Sequence, residues 1–278
     1  MESRTMTILA VIVTAIVCIA GGYAAFSGSE KSETVTVTGS TTVQPLMVEM
    51  QSEFQKYTNI TLNITGGGSG VGAKSAMDGT ADIGMLSRDL SSSESSLTST
   101  TIAKDAVVII VDKKAGVTNL TIDQLAKIYS GTYTDWSQVG GVAGAIKPVI
   151  REEGSGTRDC LDTILGGVSG FSKDKYNTYS TQASTGAMLQ QVTNVSGGIG
   201  YINLGALSEI DASKITSVSV NGITPSSSTV LNGTYALSRN LILATKGTPQ
   251  GAPAALINWI LSPQGQKMVG EFGFVPLR

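Results

Sequence analysis

Apolar residues alternate with threonine where the folded part of the chain begins, and they then change to helical spacing. Residues 34–38 read Thr-Val-Thr-Val-Thr, an alternation typical of a half-buried strand. After the polar residues 39–42, apolar side chains recur every three or four positions from Val43 to Tyr57, which predicts a helix. The same order recurs at residues 60–77, where the turn GGGSG separates a strand from a helix. Two strand–turn–helix units therefore occur within the first eighty residues.

Later segments continue this alternation. Short or uninterrupted apolar runs at residues 81–85, 106–111 and 241–245 predict buried strands. Thr121 and Gln124 have the spacing of a capping box that opens a helix, and residues 252–268 read as two helices divided at Ser262–Pro263. Strands that alternate with helices predict an α/β fold with a mostly parallel sheet.

One turn carries an unusual set of hydrogen-bond donors. Residues 151–159 read REEGSGTRD, and they lie between the apolar run 146–150 and a stretch that can be helical. The glycines allow backbone N–H groups to approach a ligand, Ser155 and Thr157 add hydroxyls, and a helix N-terminus favours negative charge. Arg151 adds a cationic fork. These groups predict a cradle for a tetrahedral oxyanion, and hence binding rather than catalysis.

Composition removes several classes of function. The net charge of the 278 residues is −2, which gives no basic face for nucleic acid. Histidine is absent and the two cysteines lie far apart, so the usual zinc spacings and the Ser-His and Cys-His triads are not available. We therefore expect no enzyme activity, no metal and no cofactor. The length allows one large domain or two lobes.

The N-terminus reads as a signal or membrane segment. Residues 7–26 are almost entirely apolar, contain no charge and follow Arg4. Their number fits a full membrane span, and the small residues after them make only a mediocre cleavage site, so we favour an uncleaved anchor. Cys18 follows Val17 rather than a small residue, which favours a buried thiol over a lipidated one. We expect residues 1–33 to be this segment and its tether, and the rest to be extracytoplasmic.

The remaining chain divides into two predicted lobes. The chain leaves one lobe near residue 112 and returns to it near residue 236, so lobe one comprises residues 34–112 plus 236–278 and lobe two residues 113–235. Two crossings between lobes place the polar turns in a ligand cleft, since open α/β sheets bind ligands beyond the carboxyl ends of their strands.

Four motifs, in this order along the chain, carry a resemblance to a known family. They are GSTTVQP at residues 39–45, GGGSG at 66–70, ADIGMLSR at 81–88 and REEGSGT at 151–157. With these motifs the chain resembles the phosphate-binding proteins of phosphate-specific ABC transporters, which have a type II periplasmic-binding-protein-like fold. The resemblance implies a monomer that captures inorganic phosphate between two lobes and delivers it to an ABC permease.

The resemblance also implies a set of phosphate-binding residues: Thr41, Thr42, Ser69, Ser87, Arg151, Ser155, Gly156 and Thr157. Ser40, Gly70, Arg88, Asp89 and Glu153 are further candidates as ligands or proton acceptors. The chain departs from the family at Ser87, where well-known members place an aspartate that accepts the proton of hydrogenphosphate. Asp89, Glu152 or Glu153 could take that role, and Ser87 could accept weakly through its hydroxyl oxygen.

Several alternatives stay open. Sulfate or another oxyanion could be the ligand, because a serine does not repel a fully deprotonated anion as a carboxylate does. Ser40, Thr41 and Thr42 could serve only as helix caps, and Arg88 could serve only in an ion pair. Residues 172–175 have the Ser-x-x-Lys spacing of some hydrolases, but they lie in a charged stretch. A surface protein of the same fold, used in sensing or adhesion, is the third class.

Overall fold

The structure is a computed structural model that describes residues 33–277. The predicted signal or anchor segment therefore lies outside the described residues. Within the described range, no helix is both long enough and apolar enough to cross a membrane.

Strands and helices alternate along most of the described chain. The strands are β1 Glu33–Gly39, β2 Ile60–Gly66, β3 Ile83–Leu86, β4 Leu97–Asp112, β5 Asn119–Leu120, β6 Lys147–Arg151, β7 Ser180–Gln182, β8 Gly198–Asn203, β9 Ile215–Ser217, β10 Ser219–Val220 and β11 Ser238–Lys246. The helices are α1 Gln44–Gln55, α2 Ser69–Asp78, α3 Ile122–Tyr129, α4 Gly156–Leu165, α5 Thr185–Asn194, α6 Ser227–Leu231, α7 Gly251–Ile260 and α8 Pro263–Glu271. The predicted capping box of α3 is confirmed, because Thr121 and Gln124 each accept a backbone N–H of the other.

The main sheet is mixed, so the prediction of a mostly parallel sheet is wrong at its centre. Its strand order is β2-β1-β3-β11-β4-β8-β6-β7, and β9 also pairs with β4. The outer pairs β1–β3, β6–β8 and β6–β7 are parallel. The central strand β11 runs antiparallel to β3 and β4, and β4 runs antiparallel to β8. Since β4 carries the chain out of one lobe and β11 brings it back, the two must run in opposite directions.

Buried apolar side chains separate into two main cores, one for each lobe of this two-lobed α/β fold. The first core contains Val37, Phe54, Ile83 and Leu256, and the second contains Leu125, Trp136, Ile150 and Tyr201. The change from one core to the other occurs inside β4, between Ala103 and Ala106, and again between Leu237 and Leu241. The two adjacent antiparallel strands thus connect the cores.

Candidate anion-binding site

The four motifs singled out in the sequence meet at the carboxyl ends of their strands. Three of them follow β1, β2 and β3 on the side of the first core, and the fourth follows β6 on the side of the second core. We use the name first wall for the four residues on the side of the first core: Thr41, Thr42, Ser69 and Ser87. We use the name second wall for the four residues on the side of the second core: Arg151, Ser155, Gly156 and Thr157. Seven of these eight residues are buried, and Thr41 is partly buried.

The first wall consists of hydroxyl groups at two helix starts and one strand end. Gly39, with φ 138°, lets the turn after β1 pack against the backbone of Met85, where a Cβ would collide with main-chain atoms. Ser40 Oγ then accepts the N–H groups of Thr42 at 3.2 Å and Val43 at 3.4 Å, which fixes the turn that leads into α1. Ser69 Oγ accepts the Ser87 N–H at 3.1 Å and lies 3.4 Å from Ser87 Oγ. The two serines are thereby fixed side by side.

The second wall supplies the cation. Arg151 is 1% exposed, and its Nε and Nη2 donate to the two carboxylate oxygens of Glu152, each at 2.8 Å. Its backbone N–H donates to the hydroxyl of Tyr201, and its Nη1 donates to Thr185 Oγ1 at 3.4 Å. Ser155 is the N-cap of α4, with its Oγ accepting the N–H of Arg158. The strand end, the neighbouring strand and the helix cap therefore hold the guanidinium and hydroxyls in place.

The two walls touch each other. Thr42 Oγ1 lies 3.2 Å from Thr157 Oγ1, and Arg151 Nη2 donates to Thr41 Oγ1 at 3.0 Å. The main chain also crosses, since Gly70 N–H donates to Gly154 C=O at 2.9 Å. A Cβ at Gly156 would lie 2.7 Å from Ser87 Oγ and closer still to Ser69 Oγ, so only glycine fits there without displacement. The structure thus brings together all eight residues expected to bind the anion.

The additional candidates lie differently. Ser40 Oγ is engaged by the N–H groups of the turn before α1, and the N–H of Gly70 is used in the bond to Gly154. Arg88 donates to both carboxylate oxygens of Glu94, at 2.7 and 2.8 Å, and to Asp159 at 2.9 Å, so its guanidinium is held in ion pairs. Asp89 is exposed and accepts from the side chain of Asn240, and Glu153 is also exposed. Neither of these two carboxylates is enclosed between the walls.

Two buried charges behind the first wall were missed by the sequence reasoning. Arg239 is 8% exposed and Asp105 is fully buried. Arg239 Nε and Nη2 donate to Asp105 Oδ2 at 2.8 and 2.6 Å, and Nη2 also lies 3.4 Å from Thr42 Oγ1. Burial raises the pKa of the Asp105 carboxyl, and the adjacent guanidinium opposes that rise. The available signal in the sequence was a charged residue just before each apolar run, Asp105 before residues 106–111 and Arg239 before residues 241–245. This signal indicates a buried ion pair only once the two residues are known to be partners.

The groups that meet at the site are mainly hydrogen-bond donors. One guanidinium and six hydroxyl groups line the two walls, and the adjacent carboxylate, Glu152, is paired with Arg151. Among residues 33–277 no group of three histidine, cysteine or acidic side chains could hold a metal ion. Short bonds from a guanidinium and several hydroxyls suit a tetrahedral oxyanion that is stripped of water.

Comparison of the sequence with known proteins identifies the family of this chain. The model of the PBP superfamily domain matches residues 24–264. Among curated proteins, the phosphate-binding protein PstS of Borreliella burgdorferi is 29% identical over 90% of this chain and 92% of its own length. The PstS of Bacillus subtilis is 27% identical over 90% of this chain and 83% of its own.

Solved structures agree with this result. A crystal structure of a substrate-binding protein from Clostridium perfringens with bound phosphate has a TM-score of 0.81 and 32% identity, covering 88% of this chain and all of that one. An ABC-type phosphate transport receptor from Vibrio cholerae has a TM-score of 0.72 and 30% identity, covering 87% of this chain and 99% of that one. The chain therefore belongs to the PBP superfamily of substrate-binding proteins.

Proposed function

We propose that this protein captures inorganic phosphate between its two walls and delivers it to the permease of an ABC transporter. The observation that carries this proposal is the convergence of Arg151 with the hydroxyls of both walls, at distances that let several donors meet one small anion. The names of the relatives support the same ligand. Affinity would come from charge-assisted hydrogen bonds made without water.

We further propose that the protein works as a two-lobed clamp and not as an enzyme. The division into residues 34–112 plus 236–278 and residues 113–235 remains a prediction, and the change of core inside β4 supports a crossing point close to Asp105. Hinge bending at β4 and β11 would separate the walls and release the anion. The Ser-x-x-Lys spacing at residues 172–175 gives no support for hydrolysis, because Lys175 is exposed and Lys173 pairs with Asp162.

The proposed cellular setting follows from the sequence and the relatives. We propose an extracytoplasmic monomer, held at the membrane by residues 1–33 or exported after their cleavage, with a permease as partner and no role for nucleic acid. Detection of the mature N-terminus by mass spectrometry of membrane and soluble fractions tests this setting. A mature chain that begins near residue 27 and is found only in the soluble fraction would contradict the anchor.

Sulfate is the second candidate ligand, and a specific observation favours keeping it. Ser87 is 1% exposed and faces Gly156, and it presents a hydroxyl that can donate to any oxyanion. A carboxylate there would have repelled sulfate more than hydrogenphosphate.

Calorimetric titration tests the proposed function. The protein is freed of bound anion by partial unfolding and refolding, and it is then titrated with phosphate and with sulfate at neutral pH. Tight binding of phosphate with weaker or no binding of sulfate is the expected result. Stronger binding of sulfate would reassign the ligand. No detectable binding of either anion would favour the alternative function, a surface protein of the same fold used in sensing or adhesion.

A further inference from the structure

Two consecutive threonines of the first wall each lie against an arginine from a distant part of the chain. Arg151 Nη2 donates to Thr41 Oγ1 at 3.0 Å, and Arg239 Nη2 donates to Thr42 Oγ1 at 3.4 Å. Thr42 Oγ1 is also 3.2 Å from Thr157 Oγ1 on the opposite wall. Thr42 thus lies between a guanidinium on one side and the second wall on the other.

The chemistry of these groups restricts the directions in which the proton of Thr42 can point. A guanidinium has only donors, whereas a hydroxyl has one proton and two lone pairs. When Arg239 donates to Thr42 Oγ1, one lone pair is occupied, so the hydroxyl proton turns away from the guanidinium and is available to another acceptor. Thr157 lies on that other side, on the wall that also carries Arg151, where a bound anion would place its oxygens.

Arg239 is held firmly enough to act in this way. Two of its nitrogens donate to Asp105 Oδ2, and Asp105 Oδ1 accepts the N–H of Leu204. Arg239 and Asp105 are register partners on β11 and β4, the two strands that connect the cores. Arg239 Nη1 is buried and finds no partner within residues 33–277, so the guanidinium keeps a spare donor beside the site.

We propose that Arg239 is a positioning residue for anion binding: anchored by Asp105, it donates to Thr42 Oγ1 and thereby directs the Thr42 hydroxyl proton at the bound anion. This inference rests on the proposed function, since it names a further residue of the same site. Arg239 acts through Thr42, so its contribution to affinity disappears when Thr42 has no hydroxyl.

A double-mutant cycle in the full-length protein tests this dependence. Phosphate affinity is measured by calorimetry for wild type, Arg239→Lys, Thr42→Val and the double variant. The lysine can still pair with Asp105 but loses the second donor nitrogen of the fork. We expect each single substitution to weaken phosphate binding about 10-fold, and the double variant to be weakened about 10-fold and not about 100-fold. Thr42→Ser retains the hydroxyl and is expected to restore the sensitivity to Arg239→Lys.

A matched control separates positioning from stability. Thr245→Val removes the hydroxyl of another buried threonine of β11, whose Oγ1 donates to the C=O of Gly247 and contacts neither wall, so it should leave phosphate affinity within about 2-fold of wild type. Thermal unfolding without phosphate reports the stability of every variant. If Arg239→Lys does not fold, the charge-free pair Arg239→Met with Asp105→Asn replaces it in the cycle.

The outcomes are distinct. Losses that multiply to about 100-fold, or an unchanged affinity in Arg239→Lys, would overturn the positioning role while leaving the proposed function intact. Wild-type protein that binds neither phosphate nor sulfate would overturn the proposed function, and this inference with it.

Discussion

The two walls of the site carry different chemistry. The first wall presents neutral hydroxyls, and the arginine behind it, Arg239, is neutralised by the buried Asp105. The second wall presents the guanidinium of Arg151 itself, with Glu152 as its partner on the same wall. Under the proposed function this difference would divide the work between the lobes. The second wall would supply attraction for a negative charge, and the first wall would supply the hydroxyl pattern that distinguishes one anion from another.

Removal of the cation should have the largest effect. Arg151→Ala is expected to weaken the binding of phosphate and sulfate alike by about 1,000-fold, or about 4 kcal/mol, because a desolvated anion loses its charged partner. Calorimetry measures both affinities. Lys127→Ala removes the same charge from an exposed side chain and should leave both unchanged. Retention of near-wild-type affinity in Arg151→Ala would break the assignment of attraction to the second wall.

A charge placed on the neutral wall should change selectivity. Ser87→Asp puts a carboxylate against Gly156 and Ser69, where it can accept a proton from hydrogenphosphate but repels sulfate. At an effective dielectric constant near 20, two charges about 4 Å apart repel by about 4 kcal/mol, so we expect the phosphate-to-sulfate affinity ratio to rise at least about 100-fold.

Ser87→Ala is the matched control for selectivity. It removes the hydroxyl without adding charge, so both affinities should fall by a similar, smaller factor. An unchanged ratio in Ser87→Asp would place the selecting group elsewhere in the molecule.

A methyl group at the contact between the walls should hinder their approach. Gly156→Ala places a Cβ against Ser69 Oγ and Ser87 Oγ, and the walls must move apart to accept it. We expect phosphate affinity to fall about 10- to 30-fold with little change in thermal stability, since the hydroxyls can separate without loss of either core. Gly186→Ala, at a helical glycine with open space around it, is the control and should bind as wild type does. Equal affinities in the two variants would show that the walls need not touch.

The smallest effect is expected from the charges beside the first wall. Burial alone would raise the pKa of Glu94, but hydrogen bonds from Arg88 and the Ser91 backbone outweigh it and lower the pKa below its ordinary value of 4.5. The folded state therefore gains stability from Glu94 above pH 4.5, and it loses that gain as the pH falls through the lowered pKa.

Thermal unfolding between pH 3 and 7 measures this contribution. Glu94→Gln should melt about 2–4 °C below wild type at pH 7, or about 1 kcal/mol, and the difference should shrink below pH 4.5. Phosphate affinity should change less than about 3-fold, because Arg88 is held in ion pairs and not on the wall. The exposed Glu49→Gln is the control. A difference in melting temperature that grows toward low pH would contradict the lowered pKa of Glu94.

Local patterns predicted most of the units of the fold. The strand–turn–helix order, the capping box at Thr121 and the pair of C-terminal helices are decided by neighbours in sequence, so periodicity and turn residues reveal them. The direction and full length of β4 could not be predicted. Residues 97–105 have few apolar side chains, and they are held as a strand by β11, which lies about 140 residues later.

The same limit applies to the site. The donor-rich turns were visible in the sequence because each is a short motif, but the function of a single charge depends on its partner. Arg88 pairs with Asp159, 71 residues away, and Arg239 pairs with Asp105, 134 residues away. No local pattern distinguishes a charge that meets a ligand from one that meets another part of the chain.

The main-chain bond from Gly70 to Gly154 gives the protein a built-in probe of the separation of its two walls. This amide hydrogen is shielded only while the two walls are together, so its exchange with deuterium requires their separation. Its exchange rate therefore reports the population of the open state in the unmodified protein, without a label or an engineered probe. Added phosphate that holds the walls together would slow the exchange of this amide by a factor that rises with the ratio of phosphate concentration to its dissociation constant.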